Sequence, residues 1–172
     1  MKGEVMTAAL SRIDPRRYRD VMGHLPTGVV VVAGRRPSTG EPAGLVVGTF
    51  QSLSLDPPLV TFSVALTSNS WPKIRESGRF SASVLASGQH DVCQRLSSKN
   101  PDKFHAVDWH ESADGNPRIT GAHAWIDCQV HHEFECGDHT VVIARVRRLD
   151  AGSGEPLVFY RGRLGKYREI SA

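Results

Sequence analysis

Residues 124–149 restrict the fold more than any other part of the chain. From Ala124 to Phe134, Ala124, Ile126, Cys128, Val130 and Phe134 alternate with Asp127, Gln129, His131 and Glu133. Successive side chains of an extended backbone point to opposite faces, so this segment is a strand with one buried and one solvated side. On that reading His131 and His132 face opposite ways. Gly137-Asp138 is turn chemistry, and HTVVIARVRRL then returns along it, so the two segments form an antiparallel hairpin.

The remaining apolar segments supply partners for that hairpin. VVVVA, residues 29–33, is continuous and β-branched, the pattern of a strand buried on both faces. Residues 44–50, 59–66, 79–86 and 157–162 also read as strands, and RRPSTGEPA and AGSGEP as turns. Asp14-Pro15 is an N-cap followed by proline at the first helical position. Tyr18, Val21, Met22 and Leu25 then recur at helical spacing, which predicts a helix over 15–25 with one buried stripe. Ser70 with Pro72 starts a second short helix, and Gln89 to Leu96 is a third. Residues 97–121 read as loop with one helical turn. The expected fold is mainly β: an antiparallel barrel with a few short helices against it. No linker or repeat divides the chain, so residues 14–172 are expected to form one domain behind a flexible segment, 1–13.

Composition removes several functions. With 172 residues and a net charge of +3 from dispersed charges, there is no basic face of the kind nucleic acid requires. The one local run, Arg145, Arg147 and Arg148, falls on a solvent face. The N-terminus has no apolar run suited to a signal peptide, and no stretch of about 18 apolar residues predicts a membrane span. Three cysteines without a CxxC pattern read as reduced thiols, so a cytoplasmic protein is expected. Neither GxGxxG nor GxxxxGK[ST] occurs, so any nucleotide is held without those loops.

Four constellations carry possible chemistry. Ser70-Trp71-Pro72-Lys73 has Ser-x-x-Lys spacing, but the SDN and KTG elements of acylating enzymes are missing. Ser68, Ser70, Lys73 and free amides at a helix start suit a phosphate better; a plain cap with a solvated lysine stays open. Cys128, His131, His132, Cys136 and His139 have metal-ligating side chains, but strand alternation separates them, and no metal site is expected. Gly137-Asp138-His139 places a histidine at a hairpin tip, where a simple turn is the alternative. GTFQSLSLDPPLV, residues 48–60, concentrates hydroxyl and amide groups on a bend, which suits the polar edge of a flat heterocycle or merely a hydroxyl-rich connection.

LPTGVVVVAG, GLVVGTFQSLSLDPPLVTFSV, SNSWPKIRESGRFSASVL, GAHAWIDCQV, GDHTVVIARV and PLVFYRGRLGKY occur in this order. Together they resemble the flavin reductase-like, FMN-binding split-barrel family, in particular the actinobacterial reductase components of two-component flavin-dependent monooxygenases. The resemblance implies a six-stranded antiparallel Greek-key split barrel and a homodimer with flavin near the subunit interface. It implies reduction of FMN, or FAD, by hydride transfer from NADH to flavin N5, with reduced flavin passed to a separate oxygenase. A flavin-binding protein without turnover, or an oxidase of a small substrate, stays open.

By position, Pro26, Thr27 and Gly28 would border the isoalloxazine, and Val47, Gly48 and Thr49 its polar edge. Gln51, Ser52 and Ser54 would line the ribityl side. Ser68, Ser70, Trp71 and Lys73 would lie at the phosphate. Asp138 and His139 would stand by the nicotinamide, His139 as the catalytic residue that positions it, and Tyr167 would cover the pocket. The chain departs from the family pattern at three places. Val46-Val47-Gly48-Thr49 stands for Thr-x-Asn-Ser, Ser83 for the asparagine of the fourth strand, and Ala144 for a glycine.

Overall fold

A computed structural model describes residues 13–170. The expected flexible segment therefore lies, except for Ile13, outside the described residues. Asp14 caps α1 (Pro15–Met22), its carboxylate accepting from the Arg16 and Arg17 amides at 2.6 and 3.1 Å. Proline follows at the position where a missing N–H costs nothing. The helix is shorter than its periodicity suggests, and its apolar stripe is not buried: Tyr18, Val21, Met22 and Leu25 are 43–59% exposed. Helical spacing aligns those side chains on one face, and none of the described residues buries it.

The strands are β1 (Thr27–Gly28), β2 (Val30–Arg35), β3 (Pro42–Val47), β4 (Gln51–Ser54), β5 (Leu59–Ala65), β6 (Arg79–Val84), β7 (Trp109–Glu111), β8 (Pro117–Ile119), β9 (Ala124–Cys136), β10 (His139–Ala151), β11 (Leu157–Tyr160) and β12 (Arg163–Lys166). Two further helices are α2 (Trp71–Arg75) and α3 (His90–Ser97). The main sheet runs β3-β2-β6-β9-β10-β5-β4, antiparallel throughout. Its edges, β3 and β4, are consecutive in the chain, joined only by residues 48–50. The sheet therefore curls until its first and last strands adjoin, a barrel left open by a split. The Thr49 hydroxyl ties the joint to β5, accepting from the Ser63 amide at 2.9 Å.

Two apolar clusters lie on either side of this wall. Inside, Val30, Val32, Phe62, Ile74, Phe80 and Val142 pack with Trp71. Outside, Val29, Val31, Leu85, Leu96, Phe104 and Ile119 pack beneath α3 and the segment after it. β2 contributes to both, as its unbroken β-branched run requires.

Four strands were not legible. β4, read as loop, is four residues paired to β5 across a bulge. β7 and β8 form a hairpin within the segment read as loop, and β12 adds to β11 and β1 in a small separate sheet. Two side-chain directions also differ. Asp127, expected in solvent, is fully buried, because the β7–β8 hairpin covers that face of the sheet. It accepts from Ser81 Oγ at 2.6 Å and pairs with Arg118 at 2.8 Å. His131 and His132 do not face apart: a bulge opposite Ile143/Ala144 makes His131 the extra residue, and the two rings lie 4.6 Å apart.

Candidate active site

A groove of about 950 Å³ opens on the barrel between β3, the loop after β5, and the segment following α3. Leu45 and Val46 give it an apolar floor, and Thr67, Ser68, Asn69, Ser70 and Lys73 one polar wall. The opposite wall is the 97–105 segment, which carries Lys99 and Lys103.

Local chemistry assigns each group a place. Ser70 is the N-cap of α2 as expected, but its side chain makes no capping bond; the Ser68 hydroxyl instead accepts from the Trp71 amide at 3.2 Å. This leaves the Ser70 hydroxyl turned to the far wall, where it accepts from Lys103 Nζ at 3.1 Å. The same ammonium donates to the Leu96 carbonyl at 3.1 Å, so two of its three protons are fixed. The backbone there is held by Phe104, whose ring packs where a Cβ on Gly44 would come within 2.8 Å of it. Burial lowers the Lys103 pKa, and the neighbouring Lys73 lowers it further. Lys103 on the Ser70 hydroxyl and the neighbouring Lys73 thus place two cations on one side of the groove, an arrangement that an anion there would stabilise. Lys103 was not foreseen from sequence: one lysine in a polar loop has no signal until Phe104 and Gly44 pin it over the groove.

Thr27 and Gly48 meet at a second point. A Cβ on Gly48 would sit 2.8 Å from Thr27 Oγ1, and that oxygen is buried without a hydrogen-bond partner. β1 pairs with β11, so Pro26, Thr27 and Gly28 are held beside the C-terminal sheet and against the end of β3. Val47 turns its side chain into the core, leaving its backbone as the polar contribution. The Thr49 hydroxyl is committed to Ser63, so that side chain holds the split of the barrel.

β5 orders the remaining groups. His139 pairs with Ala65 at one end of β5, and its Nδ1 lies 2.7 Å from Asp138 Oδ1. That hydrogen bond from the imidazole lowers the pKa of the fully exposed Asp138. Thr49 stands at Ser63, Gln51 at Thr61, Ser52 at Val60 and Ser54 at Leu59. The rise of a strand puts Ser54 about 20 Å from the Ala65 end. The structure thus brings Ser68, Ser70 and Lys73 together, with His139 on the strand beside the chain that leads to them. Ser52 and Ser54 run away from that group. Trp71, expected at the phosphate, directs its indole into the core, edge-on to Phe62 and Phe80, with Nε1 donating to Glu133 at 2.7 Å. Tyr167 follows β12, is exposed, and does not line the groove. Among the described residues no group of His, Cys, Asp and Glu could hold a metal ion.

A family model for the flavin reductase like domain matches residues 22–168, nearly the whole described chain. The chain belongs to that family. The flavin reductase-like domain is 45% identical to a flavin reductase of Pseudomonas putida over 93% of this chain and 94% of that one. It is 44% identical to HsaB, the reductase subunit of a flavin-dependent monooxygenase in Rhodococcus jostii, over 90% of this chain and 78% of that one. Among solved structures, a nitrilotriacetate monooxygenase component B homologue from Mycobacterium thermoresistibile superposes with a TM-score of 0.86 at 39% identity, over 91% and 90% of the two chains. The domain's groove fits a flavin phosphate through Ser70, Lys73 and Lys103, and the unpartnered Thr27 hydroxyl beside Gly48 fits a polar edge.

Proposed function

We propose that this protein is an NADH-dependent flavin reductase that reduces FMN or FAD and releases the product to a separate monooxygenase component. The observation that carries this reading is the groove itself: an apolar floor, two neighbouring lysines on its walls, and a histidine at the adjoining strand end. Ser70, Lys73 and Lys103 hold the phosphate. Thr27 and the backbone at Val47–Thr49 offer hydrogen bonds to the polar edge of the ring, where negative charge collects on reduction. Flavin accepts the hydride at N5 from C4 of the dihydronicotinamide. His139 orients the nicotinamide; it is exposed on one side and steadied by Asp138 on the other.

Relatives support both flavins and NADH. SmoA of Agrobacterium fabrum, 36% identical, is named an FMN reductase (NADH), and SgcE6 of Streptomyces globisporus, 31% identical, an NADH:FAD oxidoreductase. The oxygenase partner is supported by relatives named as reductase subunits. A homodimer is supported by the exposed stripe of α1, near which Tyr160 stacks edge-on with His24. No described helix is long and apolar enough to cross a membrane. The three free cysteines agree with a reducing compartment.

The test is loss of absorbance at 340 nm with purified protein, NADH or NADPH, and FMN, FAD or riboflavin in turn. Saturable oxidation with one flavin is expected. Folded protein that oxidises neither nicotinamide with any flavin overturns the reading.

A further inference from the structure

Glu133 is a carboxylate that alternation along β9 puts in solvent, and the fold turns it inward. The extra residue at His131 reverses the two faces of the strand beyond it. Phe134 is consequently 48% exposed, while Glu133 stands opposite Val142, which is fully buried in the barrel core. A carboxylate on that face needs partners. Both of its oxygens find them on α2. Oε1 accepts from Trp71 Nε1 at 2.7 Å, and Oε2 lies 3.3 Å from the Arg75 guanidinium. The Glu133 side chain keeps only 20% of its surface exposed.

Trp71 and Arg75 are four residues apart, so they share a face of α2. Ser70 and Lys73 fall on the other side and line the groove, whereas neither Glu133 nor Arg75 does. With five residues, α2 has too few backbone bonds of its own to hold it in place. Its orientation is set by the side chains that grip the rest of the protein. Packing against Phe62 and Phe80 sets how deep the Trp71 ring sits, and the bond from Nε1 sets which way the ring is turned.

We propose that Glu133 is the positioning residue for the phosphate wall. By holding Trp71 and Arg75 it aims Ser70 and Lys73 into the groove, and so sets the preference for a phosphorylated flavin over riboflavin. It acts through α2 and not on the ligand. That role rests on the flavin reductase reading and names what gives the site its ligand preference. The sign of the effect separates the role from plain charge. A carboxylate near a phosphate repels it, so removing Glu133 as a mere charge would tighten FMN. Removing it as a clasp weakens FMN.

Titrations of the whole protein with FMN and with riboflavin, followed by flavin fluorescence, read this without turnover. They compare the wild type with Glu133→Gln and Glu133→Leu. Glutamine keeps an oxygen for Trp71 Nε1 and loses the ion pair with Arg75; leucine loses both. The FMN Kd is expected to rise about threefold in Glu133→Gln and about tenfold in Glu133→Leu, with the riboflavin Kd within about twofold in both. FMN binding that tightens or stays level overturns the role. Equal weakening of both flavins overturns it too, because a loosened barrel harms both alike. Should Glu133→Leu fail to fold by circular dichroism, Glu133→Gln decides alone, since it keeps the shape and the Trp71 bond. A wild type that binds neither flavin overturns the reductase reading, and the role of Glu133 with it.

Discussion

At the scale of single residues, Lys103 sets two opposite pH trends. Its folded-state pKa lies below that of an ordinary lysine, so between the two values the unfolded chain binds more protons than the folded one. Stability then rises with pH in that window, as the cost of burying the ammonium is relieved. Affinity for a phosphate-bearing flavin moves the other way, because the cation is lost over the same window. Titrations of FMN and riboflavin from pH 7 upward are expected to show FMN affinity falling below the usual lysine range while riboflavin affinity stays level. Parallel curves for both ligands would remove Lys103 from the phosphate. His139 gives a kinetic counterpart. His139→Ala is expected to raise the KM for NADH by roughly tenfold and to leave the flavin Kd within about twofold. Equal KM values in steady-state assays would end its positioning role.

Thr27 and Gly48 form a pair whose energies are coupled. Gly48→Ala places a methyl 2.8 Å from Thr27 Oγ1 and should cost about 1–3 kcal/mol. Thr27→Ala removes an oxygen that has no partner and should be close to neutral in the unliganded protein. Once that oxygen is gone, the next contact of the new methyl is at Thr27 Cβ, 3.5 Å away, an ordinary separation. The double variant should therefore recover most of the loss in urea denaturation; additive losses would show that the clash is not the cause.

At the scale of elements, the β7–β8 hairpin converts one face of β9 from solvated to buried. Arg118 reaches from β8 to Asp127 on β9 and to Asp150 on β10. Asp127 is fully buried, whereas the side chain of Asp150 is 56% exposed, and the two partners should behave differently. Arg118→Ala leaves the Asp127 charge buried and unpaired, a loss of about 3–5 kcal/mol. Asp150→Ala breaks a bond at the surface and should cost less than about 1 kcal/mol. Equal shifts of the urea midpoint for the two variants would contradict this. The hairpin was illegible because its strands are three residues each and its polar residues read as loop. Alternation could not reveal Asp127 as buried, since that depends on a separate segment arriving over it.

At the scale of the whole molecule, the α1 stripe has no partner among the described residues. Three exposed apolar side chains on one helix, with Leu25 just beyond its end, are more than scattered surface residues, and a second copy of the chain is the proposed cover. Val21→Glu with Met22→Lys should shift the protein from dimer to monomer in light scattering, with the far-ultraviolet circular dichroism unchanged. A wild type that is monomeric at micromolar concentration would refute the dimer.

The sequence by itself determined the strands whose side chains obey one rule along their length. The β9–β10 hairpin follows from alternation, and β2 from a run apolar on both faces. Asp14-Pro15 placed the start of α1. These are local properties, set by backbone geometry and the nearest few residues. Ser68, Ser70 and Lys73 were legible as a polar group for the same reason. What only the tertiary structure decided were meetings between distant segments. Phe104 on Gly44 brings Lys103 to Ser70, Thr27 reaches Gly48, and Arg118 reaches Asp127. Each depends on the sheet having curled into a split barrel. Burial of a charge or an approach to a glycine belongs to the space two segments share, and neither segment encodes that space alone.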